Sequence, residues 1–146
     1  MKKIDIVVIE DNPIDAELVV KALKKSRKDI EIFVLHDGAS SIDYLFGIGE
    51  YKDRNTMNQP SLILLDLMIP KISGLQVLEL IKANKHTECI PVIVLSSSSV
   101  DADIDKAYKL GVNAFITKPI DYTSYVKLMS SVIELWLKDE SDKSEF

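Results

Sequence analysis

Five short apolar runs, rich in β-branched residues, most constrain the fold of this chain. They occupy residues 4–9, 32–35, 62–65, 92–95 and 114–117. Apolar runs with little polar alternation are typical of strands that are buried on both faces, as in parallel sheets. We therefore predict five buried strands.

The segments between these runs carry apolar residues at helical spacing. The clearest case is the last one, where apolar residues from Tyr122 to Trp136 recur at steps of three and four. Asn12, Ser73 and Asp121 stand where helices are expected to begin, and each is a residue type that caps helix N-termini. Strands that alternate with helices predict an α/β fold, a doubly wound five-stranded parallel sheet with five helices.

The chain shows no sign of a second domain or an internal repeat. We expect one domain over residues 1–138, with a polar, frayed tail at 139–146 and a long surface loop at 49–60. We expect no further domain, because only nine residues follow Leu137. Cys89 is the only cysteine, which excludes an internal disulfide.

Charge and hydropathy limit the location and the partners. The net charge is -5, which disfavours nucleic acid as a partner because duplex affinity depends on Lys and Arg. The N-terminus lacks the features of a signal peptide, and no apolar run approaches the ~20 residues of a spanning helix. We expect a cytoplasmic protein that does not bind membranes.

Polar residues follow four of the predicted strands. Glu10 and Asp11 come after the first, Asp66 after the third, Ser96 after the fourth and Lys118 after the fifth. In an open parallel sheet, ligands bind outside the carboxyl ends of the strands. We therefore expect three acids, a hydroxyl and an ammonium at one edge.

Such a cluster predicts a metal site and a nucleophile. Two carboxylates ~4 Å apart repel by ~4 kcal/mol at an effective dielectric constant of ~20, so the three acids need a cation. Hard oxygen ligands favour Mg²⁺, and the absence of His and Cys from the cluster disfavours zinc. A carboxylate beside Mg²⁺ can attack a phosphoryl group, while Lys118 and Ser96 bind the phosphoryl oxygens.

The sequence resembles the response-regulator receiver family of two-component signalling. The matching stretches are IVVIEDNPID, LILLDLMIPKISG, IPVIVLSSSS and AFITKPID. The resemblance implies a flavodoxin-like strand order of 2-1-3-4-5. It further implies a phosphoacceptor switch, not an enzyme with turnover, that takes part in its own phosphorylation and dephosphorylation.

The resemblance also assigns roles to individual residues. It implies that Glu10, Asp11, Asp66 and the backbone carbonyl of Met68 hold Mg²⁺, and that Asp66 is phosphorylated. It makes Lys118 the lysine that pairs with the phosphate. Ser96 and Phe115 are then the switch residues, and the bond from Lys118 to Pro119 is expected to be cis.

More narrowly, the chain is similar to small receiver-only regulators that partner bacterial phytochrome-type histidine kinases. The residues that carry this similarity are EDNPID, the GEYKDRN loop, ILLDLMIPK and IELWL. A sensor kinase is then the phosphoryl donor. The face formed by the fourth helix, the fifth strand and the last helix is expected to contact a downstream protein or a second copy of the chain.

Two other functions are compatible with parts of the pattern. A flavodoxin-like electron carrier shares the alternation of strands and helices, but it requires a Ser/Thr/Gly-rich loop where this chain has Glu10-Asp11-Asn12. An aspartate-nucleophile phosphatase requires Asp-x-Asp after its first strand, whereas Asp66 follows the third strand and precedes Leu67-Met68.

Overall fold

A single parallel sheet forms the centre of the molecule. The computed structural model describes residues 3–97 and 101–137. The strands are β1 Ile6–Ile9, β2 Ile32–Leu35, β3 Leu62–Leu65, β4 Val92–Ser96 and β5 Ala114–Thr117. All neighbours pair in parallel, in the order β2-β1-β3-β4-β5. The predicted fold class and strand order are confirmed.

In the described part of the chain, four α-helices connect the strands and a fifth follows β5, and all of them agree closely with the sequence signals. They are α1 Pro13–Ser26, α2 Gly38–Phe46, α3 Gly74–Ala83, α4 Asp101–Lys109 and α5 Tyr122–Trp136. The predicted caps of α1, α3 and α5 are confirmed. The side chains of Asn12, Ser73 and Asp121 each accept a backbone N–H from the first turn of their helix.

The helices cover both faces of the sheet, which gives two separate hydrophobic cores. On β1, Val7 and Ile9 belong to one core, whereas Ile6 and Val8 belong to the other. The first core also contains residues of α2, α3 and α4, and the second contains residues of α1 and α5. Because each central strand is buried on both faces, its sequence lacks the polar alternation of a half-exposed strand.

Three details differ from the sequence prediction. β4 continues to Ser96, one residue later than predicted. β1 begins at Ile6, two residues later than predicted, and the Asp5 carboxylate accepts the backbone N–H of Glu31 at 2.9 Å instead. The loop at 49–60 contains a short 3₁₀ turn, Gly49–Tyr51. Arg54 holds this loop in place, since its guanidinium donates to the backbone carbonyl of Tyr44 at 2.7 Å.

The described residues cover only part of what we expected for the C-terminal tail and for membrane spans. The predicted tail at 139–146 lies outside them. Within 3–97 and 101–137, no helix is both long and apolar enough to cross a membrane.

The segment after β3 packs tightly against the start of α3. A Cβ atom placed on Gly74 would lie 2.6 Å from the backbone carbonyl oxygen of Asp66 and would also collide with the Cα atom of Leu67. The Gly74 N–H donates to the Leu67 carbonyl oxygen at 3.2 Å, which fixes this close approach. A glycine is therefore needed here to leave room for the backbone of Asp66.

Gly74→Ala is expected to lower the free energy of unfolding by roughly 1–3 kcal/mol, because backbone atoms cannot yield as a flexible side chain would. Urea unfolding followed by circular dichroism measures this loss. Glu79→Ala, an exposed change on the same helix, is the control and should stay within about 0.5 kcal/mol of the wild type. Equal stability of the two variants would contradict the packing argument.

Candidate metal and phosphoryl site

The sheet itself positions the side chains at the carboxyl edge. The backbone N–H of Glu10 donates to the carbonyl oxygen of Leu35 at 2.9 Å, and that of Asp66 donates to Ile9 at 3.0 Å. The Lys118 N–H donates to the carbonyl oxygen of Ser96 at 2.8 Å. Each bond continues the parallel ladder past the end of a strand. Glu10, Asp66 and Lys118 thus leave the sheet from a rigid backbone.

The ammonium of Lys118 is the centre of this edge. Its Nζ atom lies 2.6 Å from Glu10 Oε1, 2.8 Å from Asp66 Oδ2 and 2.8 Å from Asp15 Oδ2. The side chains of Lys118, Glu10 and Asp66 are only 8%, 4% and 6% exposed, whereas that of Asp15 is 30% exposed. Short charge-assisted bonds of this kind satisfy charges that would otherwise be costly to bury.

Burial and neighbouring charge perturb both sides of the Glu10–Lys118 pair. Desolvation is the main cause that raises the pKa of Glu10 to about 7; Asp66 adds repulsion, and the hydrogen bond from Lys118 opposes the rise. Burial alone would lower the pKa of Lys118, but the hydrogen bonds to Asp15, Asp66 and Glu10 raise it above its usual value. Lys118 therefore keeps its positive charge at neutral pH.

Glu10, Asp11 and Asp66 form a group that suits a divalent cation. Each offers a carboxylate oxygen, and these oxygens all lie within 4.8 Å of one another. Backbone donors orient two of the carboxylates: Asn12 N–H to Glu10 Oε2 at 3.2 Å, and Met68 N–H to Asp66 Oδ1 at 2.9 Å. A set of hard oxygen ligands, with Asp11 exposed to solvent, fits Mg²⁺ or a similar ion that retains water.

The two proposed switch residues lie on neighbouring strands. Ser96 is the last residue of β4 and is fully buried. Phe115 pairs with Val94 across β4 and β5, and its ring is partly buried against the first core. Its backbone N–H donates to the hydroxyl of Tyr108 on α4 at 3.3 Å. The roles assigned to Ser96 and Phe115, and to the Met68 carbonyl, stay predictions.

One expectation taken from the family is wrong for this structure. The described residues contain no cis peptide bond, so the bond from Lys118 to Pro119 is trans. A trans bond is the more stable form even before proline. With this bond the Lys118 side chain still contacts three carboxylates.

Asp15 is the member of the site that the sequence analysis missed. It lies in the first turn of α1, where an acid is common because it complements the helix dipole. Its contact with Lys118 joins residues 103 positions apart. The sequence places Asp15 four residues after Asp11, but no strand-end argument applies to a residue inside a helix.

Comparison with known proteins gives the family. The response regulator receiver domain matches residues 6–130. The chain is 37% identical to the response regulator Rcp1 of Synechocystis sp. over 133 residues, which cover 91% of this chain and 88% of Rcp1. It is 33% identical to a probable methanogenesis regulatory protein, FilR2 of Methanothrix harundinacea, across 90% of this chain and 83% of FilR2.

Solved structures agree with this assignment. The phosphorylated cyanobacterial phytochrome response regulator RcpA superimposes with a TM-score of 0.85 at 36% identity, covering 94% of this chain and 96% of RcpA. The Mn²⁺-bound form of Rcp1 gives a TM-score of 0.83 at 36% identity, over 94% and 96% of the two chains. The chain belongs to the response regulator receiver family of two-component systems, whose members are phosphoacceptor switches and not conventional enzymes.

Lys118→Met tests whether the ammonium holds the edge together. Without divalent metal, we expect the free energy of unfolding to fall by about 3 kcal/mol, because Glu10 and Asp66 lose their buried counter-charge. Added Mg²⁺ should recover part of this loss by binding the same carboxylates. Chemical denaturation with a chelator and then with MgCl₂ measures both effects.

The matched control is Lys21→Met, which breaks an exposed pair with Glu17 on α1. Exposed pairs contribute little to stability, so this variant should unfold like the wild type with and without metal. An equal response of the two variants would contradict a structural role for Lys118.

Proposed function

We propose that Asp66 accepts a phosphoryl group from a phosphohistidine of a sensor histidine kinase, in the presence of Mg²⁺. The observation that carries this proposal is the pairing of Asp66 Oδ2 with Lys118 Nζ at 2.8 Å, inside a group of three clustered acids. A carboxylate in this position can attack phosphorus as a nucleophile. The neighbouring ammonium can then bind the phosphoryl group that becomes attached to it.

The chemistry follows from the charges at the edge. An Asp66 oxygen forms a bond to phosphorus as the P–N bond to the kinase histidine breaks, and the product is an acyl phosphate. Lys118 bonds to one phosphoryl oxygen, and the Ser96 hydroxyl donates to another. Glu10, Asp11, Asp66 and the Met68 carbonyl would hold Mg²⁺, which when bound offsets negative charge on the phosphoryl oxygens.

The output is proposed to run through the face formed by α4, β5 and α5. Among the described residues, β5 is an edge strand that pairs with β4 and with no other strand, so its outer side can respond to a change at the site. Ser96 ends β4, and Phe115 is tied to α4 through Tyr108. A phosphoryl group at Asp66 shifts Ser96 and Phe115 and so changes what this face binds, a downstream protein or a second copy of the chain.

The proposed donor is a phytochrome-type histidine kinase. Support comes from similarity to the phytochrome response regulator RcpA and to the bacteriophytochrome response regulator AtBRR, at 36% and 37% identity. The second of these superimposes with a TM-score of 0.75 over 96% of this chain.

Incubation with acetyl phosphate and Mg²⁺ should add one phosphoryl group to the wild-type protein, seen by intact mass. Asp66→Asn should gain no such mass, because a side-chain amide does not act as a nucleophile toward phosphorus. The matched control, Asp53→Asn in the exposed loop after α2, should be modified like the wild type. Modification of Asp66→Asn to the wild-type extent would refute the assignment.

Phosphotransfer tests the proposed donor. Radiolabelled, autophosphorylated kinase of the bacteriophytochrome type should pass its label to this protein within the first minute, faster than a chemotaxis-type kinase at equal concentration. Equal rates from the two donors would argue against a phytochrome-type partner while leaving Asp66 as the acceptor.

A further inference from the structure

The number of donors on Lys118 limits what the site can bind. An ammonium has three N–H groups, and here each has a carboxylate partner: Glu10, Asp15 or Asp66. When Asp66 is phosphorylated, its remaining carbonyl oxygen and a phosphoryl oxygen both lie close to the ammonium, so Lys118 has four candidate partners for three N–H groups and one of them must leave. The order in which they leave is therefore set by the cost of releasing each one.

Asp15 is the partner that can leave most easily. Its side chain is 30% exposed, whereas those of Glu10 and Asp66 are 4% and 6% exposed. A released Asp15 carboxylate returns to water, whereas a released Glu10 stays buried and depends on a bound metal for its counter-charge. Asp15 also stands outside the group of acids whose oxygens converge, so binding a metal does not occupy it.

Electrostatic repulsion also favours the release of Asp15 from Lys118. A phosphoryl group on Asp66 brings additional negative charge toward Lys118. Asp15 would then share one ammonium with that group, and the two anions would repel each other. Because the Asp15 carboxylate is partly exposed, this repulsion is moderated by solvent but not abolished.

We propose that Asp15 is a positioning residue that competes with the phosphoryl group for Lys118. In the unphosphorylated protein it occupies the third N–H of the ammonium, and in the phosphorylated protein the phosphoryl oxygen takes its place. Asp15 thus lowers the affinity of the site for a phosphoryl group. This inference rests on the proposed phosphorylation of Asp66.

Beryllofluoride, which binds carboxylates as a phosphoryl mimic, provides the test when added with excess Mg²⁺. We expect Asp15→Asn to bind it about two- to fivefold more tightly than the wild type, the range for losing one partly exposed charge interaction. Asp15→Glu keeps the charge and should bind like the wild type. Glu17→Gln removes a charge from the same helix away from Lys118 and should also leave binding unchanged.

A spectroscopic measurement separates competition from a general structural effect. In wild-type protein the three ammonium protons of Lys118 are all bonded, so their exchange with water should be slow in ¹H–¹⁵N spectra. Asp15→Asn should accelerate exchange, and Glu17→Gln should not. Unchanged exchange in Asp15→Asn would overturn the proposal.

The remaining outcomes are also decisive. Equal or weaker beryllofluoride binding by Asp15→Asn, with normal binding by the wild type, overturns the competition and leaves phosphorylation of Asp66 intact. Failure of the wild type to bind beryllofluoride and to gain phosphoryl mass overturns the proposed function and this inference with it.

Discussion

The contact of one buried ammonium with three carboxylates is the interaction on which the functional edge depends. Glu10 and Asp66 are almost fully buried, and Lys118 is the cation that both of them contact. Asp11 adds a further acid beside them. Lys118 therefore compensates the negative charge of this edge only in part, and the three clustered carboxylates could hold a second, divalent cation. In the proposed phosphotransfer, that cation would offset the negative charge that the incoming phosphoryl group meets.

The sheet fixes the relative positions of the charged residues at this edge. Glu10, Asp66 and Lys118 each extend the hydrogen-bond ladder by one residue, so their Cα positions depend on strand pairing and not on loop conformation. The two cores clamp the central strands from both faces. Buried apolar residues such as Ile9 and Leu65 thus act directly on the site, because they fix the residues that follow them. The close approach at Gly74 serves the same purpose for the backbone of Asp66.

The sequence predicts the parts of the structure that follow from local patterns. Strands buried on both faces have an unmistakable composition, and Asn12, Ser73 and Asp121 mark helix starts through their own side-chain bonds. Strand-end residues such as Glu10 and Lys118 can be grouped because parallel strands end at one edge. Asp15 could not be found this way. Its contact with Lys118 depends on where the tertiary fold places the first turn of α1, which neither spacing nor residue type encodes.

The position of β5 explains how a change at Lys118 can reach the surface. The backbone N–H of Lys118 is bonded to Ser96, and Phe115, three residues earlier, donates its N–H to Tyr108 on α4. This last bond is long, at 3.3 Å, and Tyr108 is half-exposed, so it is weaker than the bonds of the inner ladder. β5 is held by the ladder bonds to β4 on one side and by the longer Phe115–Tyr108 bond on the other. It can therefore shift without disturbing the central strands. The weaker bond connects β5 to α4, so in the proposed switch a change of partners at Lys118 would act most readily on the contact between β5 and α4.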